Sequence, residues 1–286
     1  MDRLILHNDR IVPFAEACLS PGQSGLLSGW GVFTTLRLYG GRPFEFHRHW
    51  VRLARDAARL GVAMPYEEET VGRQIASLAG ANQREEGMAR LWLVRNDGGL
   101  WAEPGATRVT DLLACTRELV PWPLAHRLLI QPAAIFSDGL LAGAKMLSWA
   151  GHALLLERAR AQGFDDALLL NERGELAECT SANVFLLRHG KVLTPPLASG
   201  CLPGVTREIL FEIAPPSGIE LAEHTLTPDD LDSADEVFIS STTREVAGVG
   251  LVSPNRNYPA PGKITRELEA AFQEYVAVVL GRSRTQ

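Results

Sequence analysis

Cysteine is scarce in this 286-residue chain: Cys18, Cys115, Cys179 and Cys201 stand far apart, with no C-x-x-C pair. That spacing offers neither a zinc ligand set nor a disulfide framework, so no metal is expected and a reducing cytoplasm fits. Positive charge is not in excess either. Lys and Arg number 28 against 34 Asp and Glu, a net charge of −6, which argues against a nucleic-acid surface. Long apolar runs are missing, so no segment is expected to cross a bilayer. The opening MDRLILHNDRIVPF lacks the basic segment followed by an apolar run that marks a secretory signal. No internal repeat or low-complexity stretch is present. What remains is 46% hydrophobic, enough to bury a sizeable core in two modest domains.

Residues 1–20 read as a strand, a turn at His7-Asn8-Asp9 and a second strand. A strand from Val32 to Tyr39 follows, with Gly40-Gly41 as its hairpin turn. Alternation puts Phe33, Thr35 and Arg37 on one face and Thr34, Leu36 and Leu38 on the other. A face carrying a threonine and an arginine beside an aromatic can line a pocket for an anionic substrate or simply meet solvent. From Phe46 the period becomes helical, with Trp50, Leu53, Ala57 and Leu60 on one stripe and Gly61 and Pro65 ending it. Arg48, Arg52, Arg55 and Arg59 form a second stripe, and Arg52, beside Leu53, falls at the edge of the buried one. A helix over 66–83 precedes the strand MARLWLVRN, which sets Arg90, Trp92 and Val94 on one side. The loop DGGLWAEPGATR has a flexible composition that could cover a site, and DLLACTREL reads as another strand.

VPWP at 120–123 marks the domain boundary, since two prolines in four residues make a stiff connector. The expected division is 1–119, a linker at 120–124, and 125–286. Beyond it, HRLLIQPAAIF reads as a strand, SDGLLAGAK as a loop, and MLSWAGHALLLERARAQ as a helix stopped by Gly163. DALLL, ELAECT, NVFLLR and KVLTPP read as short strands. LPGVTREILFEIA is a helix, IELAEHTLT a strand and TPDDLDSA a short helix. DEVFISSTTREVAGV reads as a buried strand running into a polar turn, and GKITRELEAAFQEYVAVVL as an amphipathic terminal helix.

The chemistry concentrates between Ala142 and Pro203. Lys145 sits among small and apolar residues. Taken alone it reads as a lysine whose stem lies on apolar surface while its amine reaches water. Context adds to this: a desolvated lysine has a lowered pKa and can act as nucleophile and base. A hairpin with a lone inward-looking glutamate, Glu178, comes next, and then a Pro203-Gly204 turn into a helix. An amine for an aldehyde, a carboxylate for a ring and a helix start for a phosphate are what a pyridoxal 5'-phosphate (PLP) enzyme requires.

The stretches LLAGAKMLSW, GFDDALLLNERGELAECTSANVFLL, KVLTPPLASGCLPGVTRE and ADEVFISSTTREVAGV, with GVFTTLR and HWVRLARDA before them, resemble the class IV (fold type IV) PLP-dependent enzymes. That group holds branched-chain aminotransferase, D-amino acid aminotransferase and aminodeoxychorismate lyase. The resemblance implies an α+β fold of two domains, a small N-terminal α/β domain and a larger PLP-binding domain with a β-barrel-like core. The cofactor would sit in the cleft between them, in a homodimer. It implies that Lys145 forms the Schiff base and shuttles the substrate α proton, and that Glu178 faces the pyridine nitrogen. Arg52, Val205, Thr206, Ser241 and Thr242 would hold the phosphate.

Thr35, Arg37 and Arg90 are the substrate-side candidates, the two arginines for carboxylates. Thr34-Thr35-Leu36-Arg37 is closer to the lyase pattern than to the glutamate-glycine pattern of branched-chain enzymes. VRNDGGLWAEPG lacks the arginine and histidine pair of D-amino acid aminotransferases, and Ser28 stands where relatives often have an aromatic. The function implied is amino-group transfer between an amino acid and a 2-oxo acid. Two alternatives stay open: a lyase releasing pyruvate and 4-aminobenzoate, and a PLP-binding protein without catalysis.

Overall fold

The computed structural model describes residues 2–20, 22–96 and 108–281. The glycine-rich loop read over 97–108 therefore lies, apart from Arg108, outside the described residues. The chain divides into two compact units, Met1–Val120 with Ala144–Trp149, and Pro121–Gly143 with Ala150–Gln286.

The first unit contains β1 (Leu4–His7), β2 (Arg10–Pro13), α1 (Ser24–Ser28), β3 (Gly31–Tyr39), β4 (Arg42–Pro43), α2 (Phe46–Arg59), α3 (Glu68–Ala81), β5 (Gly87–Arg95) and β6 (Thr110–Arg117). The strands form one antiparallel sheet in the order β2-β1-β6-β5-β3-β4. Its core lies on one face, where Leu36, Leu38, Leu91, Leu93 and Leu112 meet Leu53 of α2 and Ile75 and Leu78 of α3. Each such side chain contributes roughly 1.5–3 kcal/mol by leaving water. The pleat then turns Phe33, Thr35, Arg90 and Trp92 to the opposite face.

The lysine stretch belongs to this unit, whereas the sequence reading groups it with the C-terminal residues and begins a helix at Met146. β5 pairs with β3 from Gly31 to Leu38, but β4 covers the other edge of β3 only at Leu38 and Tyr39. Residues 145–147 occupy that open edge. The Phe33 N–H donates to the Lys145 carbonyl at 3.0 Å and the Leu147 N–H to the Gly31 carbonyl at 2.9 Å. With its main chain held in a bridge between Met146 and Val32, the segment cannot be helical, and helix α4 (Ala150–Ala161) starts only afterwards.

The second unit begins with β7 (His126–Ile135) and continues through α4 to β8 (Asp166–Asn171), β9 (Leu176–Cys179), β10 (Asn183–Arg188), β11 (Lys191–Thr194) and α5 (Val205–Ile213). Then come β12 (Leu221–Glu223), α6 (Pro228–Asp232), β13 (Glu236–Ser241), β14 (Glu245–Val252), β15 (Arg256–Asn257) and α7 (Lys263–Val279). The sheet order is β12-β11-β10-β13-β14-β7-β8-β9, with β15 beside β14. Only Thr180, Ser181 and Ala182 join β9 at one end of that order to β10 near the other. The sheet must therefore curl into a half-barrel, filled by Leu128, Leu168, Val184, Leu186, Val237, Ile239 and Val249. β8 is buried on both faces, because α4 covers the outer side through Ala159 against Ala167 and Leu169. The stretch read as one strand and a polar turn, DEVFISSTTREVAGV, is a hairpin: β13 pairs with β14 and the turn falls between Ser241 and Glu245.

Candidate active site

The candidate residues form one group in each unit. In the first, the Lys145 amine lies 4.7 Å from the Phe33 ring centroid and 4.9 Å from that of Trp149. The two rings meet edge to face, 5.5 Å apart at 85°. The main chain of Lys145 is fixed on two sides, its carbonyl by β3 and its N–H by Asp56 Oδ2 at 3.0 Å. Asp56 is itself buried and holds the Arg55 guanidinium with its other oxygen.

One turn earlier on α2, Arg52 is buried, as its place at the edge of the apolar stripe predicts, while Arg55 and Arg59 are exposed. Its Nη2 donates to Thr34 Oγ1 at 3.1 Å, and Thr34 Oγ1 lies 2.9 Å from His49 Nδ1. Burial, then the positive charges of Arg52 and Lys145, hold His49 well below the usual histidine range, so its ring is neutral.

Arg90 pairs with Thr35 across β3 and β5 and donates to its hydroxyl at 3.3 Å. Its guanidinium stands 5.1 Å from the Phe33 centroid, so Phe33 is shared by Arg90 and Lys145. Arg37 is elsewhere. Four residues further along β3, roughly 13 Å at the usual rise, it donates to the Leu38 and Gly87 carbonyls and pairs with Glu86 at 3.1 Å.

In the second unit Glu178 lies on β9, 8% exposed, and accepts the Leu202 N–H at 3.1 Å. Leu202 opens the turn into α5. Asn183 Nδ2 donates to its carbonyl at 2.8 Å, and a Cβ on Gly204 would come within 2.2 Å of Asn183 Oδ1. Val205 and Thr206, both buried, start the helix there, with first-turn N–H groups that favour an anion. Ser241 and Thr242 open the β13–β14 turn. Arg244 closes it, donating from its N–H to Ser241 Oγ at 3.2 Å while its guanidinium pairs with the buried Asp166 at 3.0 Å. The thiol of Cys201 beside Glu178 is pushed up to about 12 by burial and that carboxylate, which leaves it unreactive.

Four residues that shape these groups are not among the site candidates read from the sequence: His49, Asp56, Asp166 and Arg244. Two had a local signal. His49 and Asp56 flank Arg52 at three and four residues, on the apolar stripe, where a polar side chain needs a partner.

The model of the amino-transferase class IV family matches residues 31–252. The chain belongs to the class IV amino-transferase family. It is 30% identical to a D-alanine aminotransferase of Listeria innocua over 294 residues, covering 97% of both chains. Among solved structures it is similar to the branched-chain aminotransferase of Thermoproteus uzoniensis with norvaline (TM-score 0.87, 25% identity, 99% and 97% covered). It is also similar to that of Thermobaculum terrenum in its PLP form (TM-score 0.85, 25% identity, 99% and 95% covered). The cofactor of this class IV amino-transferase is PLP. Each unit by itself offers groups that fit it: a primary amine and a buried guanidinium in the first, and in the second a buried carboxylate and a helix start where a Cβ on Gly204 would stand 2.2 Å from Asn183 Oδ1. Among the described residues no cluster of His, Cys, Asp or Glu is placed to hold a metal, and no helix is long and apolar enough to cross a membrane.

Proposed function

We propose that this class IV amino-transferase moves an amino group between an amino acid and a 2-oxo acid with Lys145 as its catalytic base. The observation that carries the reading is the lysine's setting: its main chain is fixed by β3 and Asp56 while its amine faces two aromatic rings. PLP, when bound, supplies the electron sink for the negative charge left at the substrate α carbon. Lys145 would hold the cofactor's aldehyde, and its Nζ would accept the substrate α proton and return it.

Glu178, whose negative charge is already oriented by the Leu202 N–H, would keep the pyridine nitrogen protonated. Arg52, the N–H groups of Val205 and Thr206, and the hydroxyls of Ser241 and Thr242 would hold the phosphate. Arg90, steadied by Thr35, would take the substrate carboxylate. The bonds of Arg37 to Glu86 and Gly87 support a role in fastening β3 to β5 instead.

Large apolar side chains exposed within one short stretch, Leu124, Phe136 and Leu140, support a homodimer, which sedimentation velocity tests. Four unpaired cysteines, three of them buried, support a reducing, cytoplasmic setting.

The test is the absorbance spectrum of the purified enzyme with single amino acids of either hand, D-alanine and the branched-chain set included. The expected result is a visible band that one donor discharges and a 2-oxo acid restores, with Lys145→Ala inert. A band that no amino acid discharges, with pyruvate released from aminodeoxychorismate, overturns it in favour of the lyase.

A further inference from the structure

Thr34, His49 and Arg52 are three polar residues almost sealed from solvent, 0%, 2% and 7% exposed, on the core side of β3 and the facing side of α2. Their hydrogen-bond roles follow from what each can donate. A guanidinium has no acceptor, so Arg52 Nη2 must donate to Thr34 Oγ1, 3.1 Å away. The threonine hydroxyl then has one proton to place, and His49 Nδ1 is 2.9 Å from it. That nitrogen can receive it only when unprotonated. Arg52 Nη2 also lies 3.4 Å from the same Nδ1, which again calls for an acceptor there.

We infer that His49 is the positioning residue of Arg52: through its unprotonated Nδ1 it fixes the Thr34 hydroxyl and, with it, the guanidinium that receives the cofactor phosphate. The inference rests on the proposed role of Arg52. The neutral ring is the tautomer with its proton on Nε2. A protonated His49 would turn an N–H toward the arginine, remove the acceptor for the Thr34 proton and add a second buried cation beside it. Thr34 on β3 and Arg52 on α2 face the ring, and the positive charges of Arg52 and of Lys145 oppose that protonation.

The chain reaction of orientation has a readout that a purely structural role would not move. The enzyme is stripped of cofactor, and the dissociation constants of PLP and of pyridoxal, which lacks the phosphate, are measured by quenching of tryptophan fluorescence. The pyridoxal constant divided by the PLP constant isolates the phosphate contribution. His49→Leu and Thr34→Val are expected to lower that ratio about tenfold, the scale of one hydrogen bond to a charged group. His49→Asn, whose amide oxygen can stand near the lost Nδ1, should keep it within about threefold on the same scale. Arg52→Gln should lower it at least as much as His49→Leu.

If His49→Leu and Thr34→Val weaken both ligands equally, the ratio stays put and the inference fails while Arg52 keeps its role. If Arg52→Gln also leaves the ratio unchanged, the assignment of Arg52 to the phosphate fails as well. Thr34→Val preserves shape and leaves His49 in place, so the test does not depend on a single variant folding.

Discussion

Asp56 Oδ2 accepts the main-chain N–H of Lys145 at 3.0 Å, joining residues 89 positions apart. The bond ties α2, which also carries Arg52, to the segment that carries the amine. Replacing Asp56 by Ala leaves the Lys145 amide without this acceptor and should cost about 1–3 kcal/mol in urea unfolding. Asp56→Asn keeps an acceptor oxygen and should fall less. The stripped Asp56→Ala enzyme should also regain its visible band with PLP more slowly, because the lysine's backbone is no longer held. Wild-type stability and wild-type recovery in Asp56→Ala would sink the idea.

Glu178 separates structural from chemical loss. A glutamine at 178 can still accept the Leu202 N–H, so stability should stay within about 1 kcal/mol of wild type. The negative charge is gone, however, and turnover should drop by about 10²–10³-fold, the usual scale for losing a preorganised electrostatic group. Steady-state kinetics beside urea unfolding decides it. An active Glu178→Gln enzyme would remove this carboxylate from the chemistry.

His126 starts β7, fully buried, with neither ring nitrogen hydrogen-bonded among the described residues. Its pKa falls to about 4 through burial and then through Arg244, against smaller opposing effects of Asp165 and Asp166. Above pH ~6.5 the ring is neutral in both the folded and the unfolded chain. Between that value and about 4 the unfolded chain takes up a proton that the folded one refuses. Stability from this group is therefore full above pH ~6.5 and lost as pH falls toward the folded value, with a slope of up to about 1.4 kcal/mol per pH unit. His49, also depressed, acts in the same direction. Phenylalanine at 126 removes the titration while keeping a ring. Its stability relative to wild type should rise steadily between pH 7 and 4, and a difference that ignores pH across that window would refute the assignment.

Much of this is legible in the sequence. Period-two alternation over 32–39 put Thr35 on the face that also carries Phe33 and Arg90, and period-3.6 spacing put Arg52 at the edge of a buried stripe. Lys145 and Glu178 gain their meaning from the order of the motifs around them, since the lysine alone reads as a side chain whose amine reaches water and the glutamate shares its hairpin with Glu172 and Glu175. Sequence periodicity failed where a distant partner decides. MLSWAGHALLL carries helical character from its first residue, yet 145–147 pair with an edge of β3 that lies more than a hundred residues earlier. Arg37 looked equivalent to Arg90 in composition, and only the position of Glu86 and the Gly87 carbonyl draws it to the other end of the strand. The Asp166–Arg244 pair is of the same kind, two charges 78 residues apart that nothing local connects.

Gly204 tests how tightly the helix start is built. Its φ of −73° suits any residue, so backbone strain plays no part and space alone decides. An alanine Cβ would stand 2.2 Å from Asn183 Oδ1, and Asn183 is the side chain that holds the Leu202 carbonyl. Gly204→Ala must push Asn183 aside, which frees the turn whose Leu202 N–H meets Glu178 and whose next residues begin α5. PLP affinity should fall about tenfold, the scale of one charge-assisted bond at the phosphate, with a lower Tm. If the damage runs through Asn183, truncating that residue removes the clash. The Gly204→Ala, Asn183→Ala double variant should then bind PLP no worse than Asn183→Ala alone, a strong departure from additivity. Losses that simply add would mean that the alanine acts by another route, and the tight approach of Asn183 to residue 204 would have no bearing on the cofactor.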